Sequence, residues 1–190
     1  LAPAGDMECL KWAIEGGCDA VYLGGNHFGA RAYSKNFSDE ELAIAIKYAH
    51  RYGVKVYLTC NTLIYDEEVE DFLNFVRYAH KSGIDAVLIQ DLGMYDLIHQ
   101  KFPDLEIHAS TQLHIHNLEG ALVAKKLGFK RIVLARETDI DTIKKIKEKT
   151  GLDVEVFVHG SLCVSYSGQC LFSSLVGGRS GNRGACAGSC

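Results

Sequence analysis

Four of the chain's seven cysteines lie in one stretch, EVFVHGSLCVSYSGQCLFSSLVGGRSGNRGACAGSC, residues 155–190. Cys163 and Cys170 are seven residues apart, Cys186 follows sixteen later, and Cys190 comes four after that. A thiolate is a soft anion, so several of them on a segment able to fold back on itself form a ligand set for a 4Fe–4S cluster, or for zinc held by four sulfurs. The spacing matches neither paired C-x2-C knuckles nor the C-x2-C-x2-C run of a ferredoxin, so by pattern alone iron–sulfur, zinc and free thiols all stay open. The other three cysteines, Cys9, Cys18 and Cys60, fall inside helix or strand patterns and read as packing residues.

Other residue types test rival chemistries. His159 and Ser161 sit two apart at the head of the cysteine stretch, where their side chains share a side, but no Asp follows to orient the histidine. The chain holds no HEXXH and no G-x-S-x-G. His108, His114 and His116, with Glu119 near them, invite a zinc reading, and the plainer one places His114 and His116 in the loop or first turn of a helix. Gly177 to Gly184 lacks the G-K-[ST] of a P-loop and reads as a wrapping turn that returns Cys186 toward Cys163 and Cys170. Arg179 and Arg183 on it, with Arg31 and Arg136 elsewhere, are candidate substrate-binding cations, since a guanidinium fork matches carboxylate and phosphate.

The elements that position these groups repeat. GGCDAVYLGG, GVKVYLTCN, GIDAVLIQD, GFKRIVLAR and GLDVEVFVHG each join a helix-ending Gly to an apolar, β-branched run. Buried strands are expected over 20–24, 54–59, 85–90, 106–109, 131–135 and 154–159, with Leu1 to Pro3 as the stump of another. Between them lie amphipathic segments at 6–15, 38–52, 67–82, 92–101, 117–127 and 139–150, the second opening on a capping box formed by Ser38 and Glu41. Alternation at this spacing predicts an α/β fold with a parallel sheet. No G-x-G-x-x-G follows a strand, so the expectation is a (β/α)8 TIM-type barrel, truncated at both ends, rather than a doubly wound sheet. Residues 1–160 form its body, and 161–190 a cysteine- and glycine-rich loop of the same domain.

Reactions in such a barrel occur where the strands end. Asn61, Gln90, Gln112, Glu137 and His159 occupy those positions and are the candidate catalytic or donor-binding residues. Composition adds bounds: 47% hydrophobic, 23% charged and a formal charge of −4 describe an ordinary globular domain, with no apolar run near the ~18 residues of a membrane span. The mild acidity weighs against a chain that grips nucleic acid unaided. An odd number of cysteines without a disulfide framework points to the reducing cytoplasm. The chain opens on LAPAG without Met, so further sequence is expected before Leu1, and a partner or domain beyond Cys190 would supply missing charge or ligands.

Glu155, Phe157, Gly160, Ser161, Leu162, Cys163, Gly168, Cys170 and Ser173, continued by GGRSGNRG to Cys186, resemble the signature segment of the U32 family, known as collagenase-like peptidases. The resemblance runs over the whole chain and is densest after Glu155. It implies a 4Fe–4S cluster, with Cys163, Cys170 and Cys186 as ligands and Cys190 as the candidate fourth. It implies O2-independent hydroxylation of tRNA or rRNA bases, with a small-molecule oxygen donor, prephenate. Two alternatives stand beside it: a collagenase-like peptidase, and a zinc-stapled, non-catalytic interaction module. The histidines at 114 and 116 depart from the family pattern, which has small polar residues there.

The readings separate by mutation. If hydroxylation is the activity, Cys170→Ser replaces a soft thiolate by a hard hydroxyl, and iron content and activity fall together. Ser161→Ala then costs no more than a local hydrogen bond of about 1 kcal/mol. Proteolysis in vitro that survives Cys170→Ser and vanishes with Ser161→Ala would reverse the assignment.

Overall fold

The structure, a computed structural model, describes residues 1–160, 162–188 and 190. Five of the helices are started by a short polar side chain, and several are stopped by a glycine. Asp6, Ser38, Asp91, Asn117 and Asp139 accept hydrogen bonds from first-turn N–H groups, and Ser38 and Glu41 form the expected reciprocal capping box. At the far ends Gly83 and Gly128 take φ of 94° and 105°, a left-handed conformation strained for any side chain, and the next strand begins within three residues of each.

The chain runs β1 (Ala2–Pro3), α1 (Met7–Glu15), β2 (Ala20–Gly24), α2 (Asp39–Arg51), β3 (Lys55–Cys60), α3 (Val69–Ser82), β4 (Ala86–Ile89), α4 (Leu92–Lys101), β5 (Glu106–Ala109), α5 (Leu118–Leu127), β6 (Arg131–Val133), α6 (Ile140–Thr150), β7 (Asp153–Glu155) and α7 (Phe172–Gly177). All seven strands pair in parallel and in sequence order, with no reversal that would create a switch point. They form a curled half-barrel with helices outside. Every strand therefore ends at one rim.

Register divides the side chains. Val21, Leu23, Val56, Leu58, Cys60, Val87, Ile89, Ile107 and Ile132 face outward and bury themselves against Leu10, Leu42, Ile46, Phe72, Val76, Ile98 and Ile146 of the helices. Ala20, Tyr57, Ala86, Leu88 and Val133 line the concave face with Tyr22. Level with Leu88 and Val133 the same face carries charge: Arg131 reaches Asp153 at 3.4 Å and Glu155 at 3.6 Å and lies 5.2 Å from the Tyr57 ring centre, which meets the His108 ring edge-on at 4.8 Å.

Three expectations change. β6 and β7 end at Val133 and Glu155, short of the expected 135 and 159, because pairing between them stops after Val133 and Glu155 and a strand without a ladder partner has no reason to stay extended. Val158 is accordingly 88% exposed. Cys9 is exposed on α1, so packing does not explain it, whereas Cys60 is buried and Cys18 packs against the core as expected. Phe172–Gly177 forms a short helix where only a loop was expected.

His108 makes stability depend on pH. Burial first, and then the Arg131 charge, push its imidazole down to about 4. The unfolded chain, titrating near 6.5, binds a proton the folded one refuses, so stability falls as pH drops from about 6.5 to about 4. Unfolding free energies from urea titrations over this window should decline more steeply for the wild type than for His108→Phe, by up to ~1.4 kcal/mol per pH unit. Parallel lines would show that His108 is not held neutral.

Candidate functional site

Past Val156 the described residues bury only Ser167, Ser173 and Gly184, two hydroxyls and a glycine. The cysteine segment therefore has no hydrophobic core of its own, and hydrogen bonds to the barrel rim must shape it. They do so at two places.

The first anchor grips residues 165–168 with the loops after β5 and β6. The Ser167 N–H donates to Glu137 Oε1 at 2.6 Å, its hydroxyl accepts from the Arg136 N–H at 3.2 Å, and its carbonyl accepts from His114 Nδ1 at 2.6 Å. Arg136 Nη2 donates to the Ser165 carbonyl at 3.0 Å. Gly168, at φ 70°, lies so close to the β5 loop that a Cβ there would stand 2.4 Å from the Gln112 carbonyl oxygen. Burial tends to raise the Glu137 carboxyl, but the N–H groups of Glu137 itself and Ser167 outweigh it and hold the group below its ordinary value. His114 pays for its part with a left-handed backbone, φ 58°, unusual for a residue with a Cβ.

The second anchor fixes residues 182–184 to the loops after β2, β3 and β4. Arg183 forms a two-pronged pair with Glu68, at 2.9 Å from Nη1 to Oε2, donates to the Leu63 carbonyl, and stacks 4.6 Å from the Tyr65 ring centre. The Gly184 carbonyl accepts from the Ala32 N–H at 3.0 Å, and Gln90 Nε2 donates to the Asn182 carbonyl at 3.4 Å. The cysteine arm is thus a bridge across the mouth, seated on two sides of the rim.

Between the anchors lie the thiols. Ser165 hydrogen-bonds Cys163 at 3.3 Å and lowers its pKa; the Gly188 N–H, at 3.4 Å, and then Ser173 lower that of Cys186. The Arg31 guanidinium favours ionisation of both, while a Cys163 thiolate opposes that of Cys186, so the two share one electrostatic neighbourhood. The Cys170 carbonyl and the Cys186 Cβ both border Gly181. In kind, free thiols biased toward thiolate suit a soft metal or an iron–sulfur cluster. In this arrangement no three His, Cys, Asp or Glu side chains among the described residues are grouped as metal ligands, so ligation by three or four of the cysteines requires the arm to draw together.

The expected site residues therefore divide. Glu137, Arg136, Gln90 and Arg183 lie at the mouth and hydrogen-bond the arm, although the buried Arg136 Nε has no partner among the described residues. Gln112 contributes its backbone to the first anchor. Asn61, after β3, accepts from the Ala30 N–H in the loop after β2 at 2.9 Å and donates to Ser110 Oγ after β5 at 3.2 Å, tying three segments of the rim together. Arg31 makes no ion pair among the described residues, and Arg179 lies exposed 4.5 Å from the Tyr33 ring centre; these two stay available to an anionic ligand. His159 and Cys190 are exposed, and Ser161 lies outside the described residues. Glu68, Ser167 and Ser173 were not expected; the one signal in the sequence was an arginine, Arg183, set among glycines with no acid nearby in the chain.

Comparison with known proteins places this geometry. The family model described as Peptidase family U32 matches residues 5–190. The 23S rRNA 5-hydroxycytidine C2501 synthase of Escherichia coli is 43% identical over 190 residues, which are all of this chain and 28% of that protein. The tRNA hydroxylation protein P1 of Bacillus subtilis is 36% identical over all of this chain and 45% of its own length. The chain thus spans less than half of either relative. In fold it is similar to the solved U32 peptidase Mk0906, with a TM-score of 0.68 at 14% identity over 82% of this chain and 66% of that one.

Gly168 offers a direct check on the first anchor. Gly168→Ala must leave positive φ or push back the Gln112 carbonyl, and should loosen residues 165–170 at a cost of about 1–3 kcal/mol. Faster amide exchange confined to that segment, with α1 to α4 unchanged, is the expected result.

Proposed function

The chain belongs to peptidase family U32, and from that membership we propose that it is the site-bearing barrel of an O2-independent RNA hydroxylase. The observation that carries the reading is the thiol-bearing arm held across the barrel mouth, in a chain 43% identical throughout to part of an rRNA hydroxycytidine synthase. Cys163, Cys170 and Cys186, with Cys190 as fourth, would hold a 4Fe–4S cluster. When bound, such a cluster supplies one-electron chemistry and a Lewis-acidic iron at a position fixed by its thiolates.

The chain's own residues do the rest. Arg31 favours the thiolates of Cys163 and Cys186 and has no ion-pair partner among the described residues, so we take it to bind the anionic end of a small oxygen donor, for which prephenate is our candidate. Asn61 and Ser110 keep the rim polar, and the arm roofs the mouth to limit water. Arg179 and Tyr33, exposed and stacked, offer a cation and a ring face to RNA. Recognition of a large RNA by a chain of net charge −4 calls for additional basic surface, which a partner or further domain would provide. No helix among the described residues is long and apolar enough to cross a membrane, and an iron–sulfur reading places the protein in the reducing cytoplasm.

Hydrolysis finds less support. The pair the peptidase alternative would use, His159 and Ser161, includes a residue outside those described; of the other histidines, His114 is spent on a carbonyl, and His50 and His80 on carboxylates.

Full-length protein purified without air should be brown, absorb near ~400 nm and carry about four irons, the complement of one cluster on four thiolates. Total RNA from cells producing it should yield a nucleoside heavier by one oxygen. Colourless protein with stoichiometric zinc, and unmodified RNA, would refute the proposal.

A further inference from the structure

We infer that Glu68, across the mouth from Glu137, is the positioning residue for the Cys186 end of the arm, acting through Arg183. Its consequence for metal content rests on the iron–sulfur reading above; the latch itself does not.

Glu68 is prepared for this before Arg183 arrives. It sits at the entrance to α3, where its Oε2 accepts from the Tyr65 N–H at 2.9 Å. Its carboxyl is held below the ordinary value, by the Arg183 guanidinium first, and it therefore stays charged. The two side chains are only 25% and 30% exposed, so the pair is partly withdrawn from water, where a two-pronged fork is worth more than a point contact. The Leu63 carbonyl and the face of Tyr65 complete the guanidinium's surroundings.

What the pair fixes is the next three residues. Gly184 is buried at φ 78°, and a Cβ there would come within 2.5 Å of the Gly29 carbonyl oxygen. Its own carbonyl takes the Ala32 N–H at 3.0 Å, which brings Cys186 beside the loop that bears Arg31. From Ser180 to Cys186 the arm has no buried apolar side chain among the described residues, so nothing else of comparable strength holds it there. Glu68 thus acts on Cys186 without touching it.

Hydrogen–deuterium exchange of the full-length, metal-free protein, resolved by mass spectrometry, tests the latch. Glu68→Gln keeps an acceptor for Tyr65 but loses the charge; Arg183→Lys keeps the charge but loses the fork. Both should speed exchange at 181–188 and at Ala32 by about tenfold, with residues 165–169 changing less than about twofold, because the two anchors open independently. The double variant Glu68→Arg with Arg183→Glu should exchange more slowly than Glu68→Gln alone, which a general loss of stability would not produce. Reconstitution with ferrous iron and sulfide without air supplies the second readout: iron bound per chain should fall in the single variants and recover in the double. Loosened exchange in variants of a protein whose wild type takes up no iron supports the latch and sinks the cluster reading. Unchanged exchange in both single variants, or equal loosening at 165–169, overturns the inference.

Discussion

An arm whose described residues bury only Ser167, Ser173 and Gly184 is not shaped by the hydrophobic effect, and everything proposed about the site follows from that constraint. Its form is imposed by hydrogen bonds to a rim that is itself rigid, because seven parallel strands and their helices bury that rim's foundations. Polar anchors suit this task. They are directional, so they fix orientation, and each contributes little net free energy, so the arm can still rearrange around a ligand.

The division of labour on the concave face follows similar logic. Near the rim the side chains are polar and occupied with one another or with the arm. Deeper down, Tyr57, His108, Arg131, Asp153 and Glu155 form a charged layer in which burial keeps His108 neutral and raises the Glu155 carboxyl against the pull of Arg131. His108 Nδ1 and Glu155 Oε2 lack hydrogen-bond partners there. Such a layer is costly to assemble, and its place directly beneath the mouth ties the electrostatics of the site to the stability of the barrel.

Glu137 and Glu68 show why residue type alone misassigns roles. Both are carboxylates in segments that follow barrel strands, Glu137 soon after β6 and Glu68 at the entrance to α3, on the face where catalytic groups are usually sought. In the folded chain each spends its oxygens on the arm, Glu137 on the Ser167 N–H and Glu68 on Arg183. Among the described residues the guanidinium groups of Arg136 and Arg31 form no ion pair, and both favour the Cys163 thiolate.

The sequence by itself determined the repeating architecture, because its signals are local. A capping Ser or Asp, a Gly that stops a helix and a β-branched run act over a few residues, and the boundaries of α2, α4, α5 and β2 fell within a residue of where those signals place them. It also marked the cysteine stretch as the place for chemistry. Tertiary structure alone decided that the stretch bridges the mouth, that β6 and β7 end early for want of a ladder partner, and that Arg183 meets Glu68, 115 residues away. Those contacts join segments distant in the chain through single hydrogen bonds and ion pairs. No periodicity records such pairings, since any carboxylate on the rim would satisfy the arginine's chemistry and only the fold selects which one is within reach.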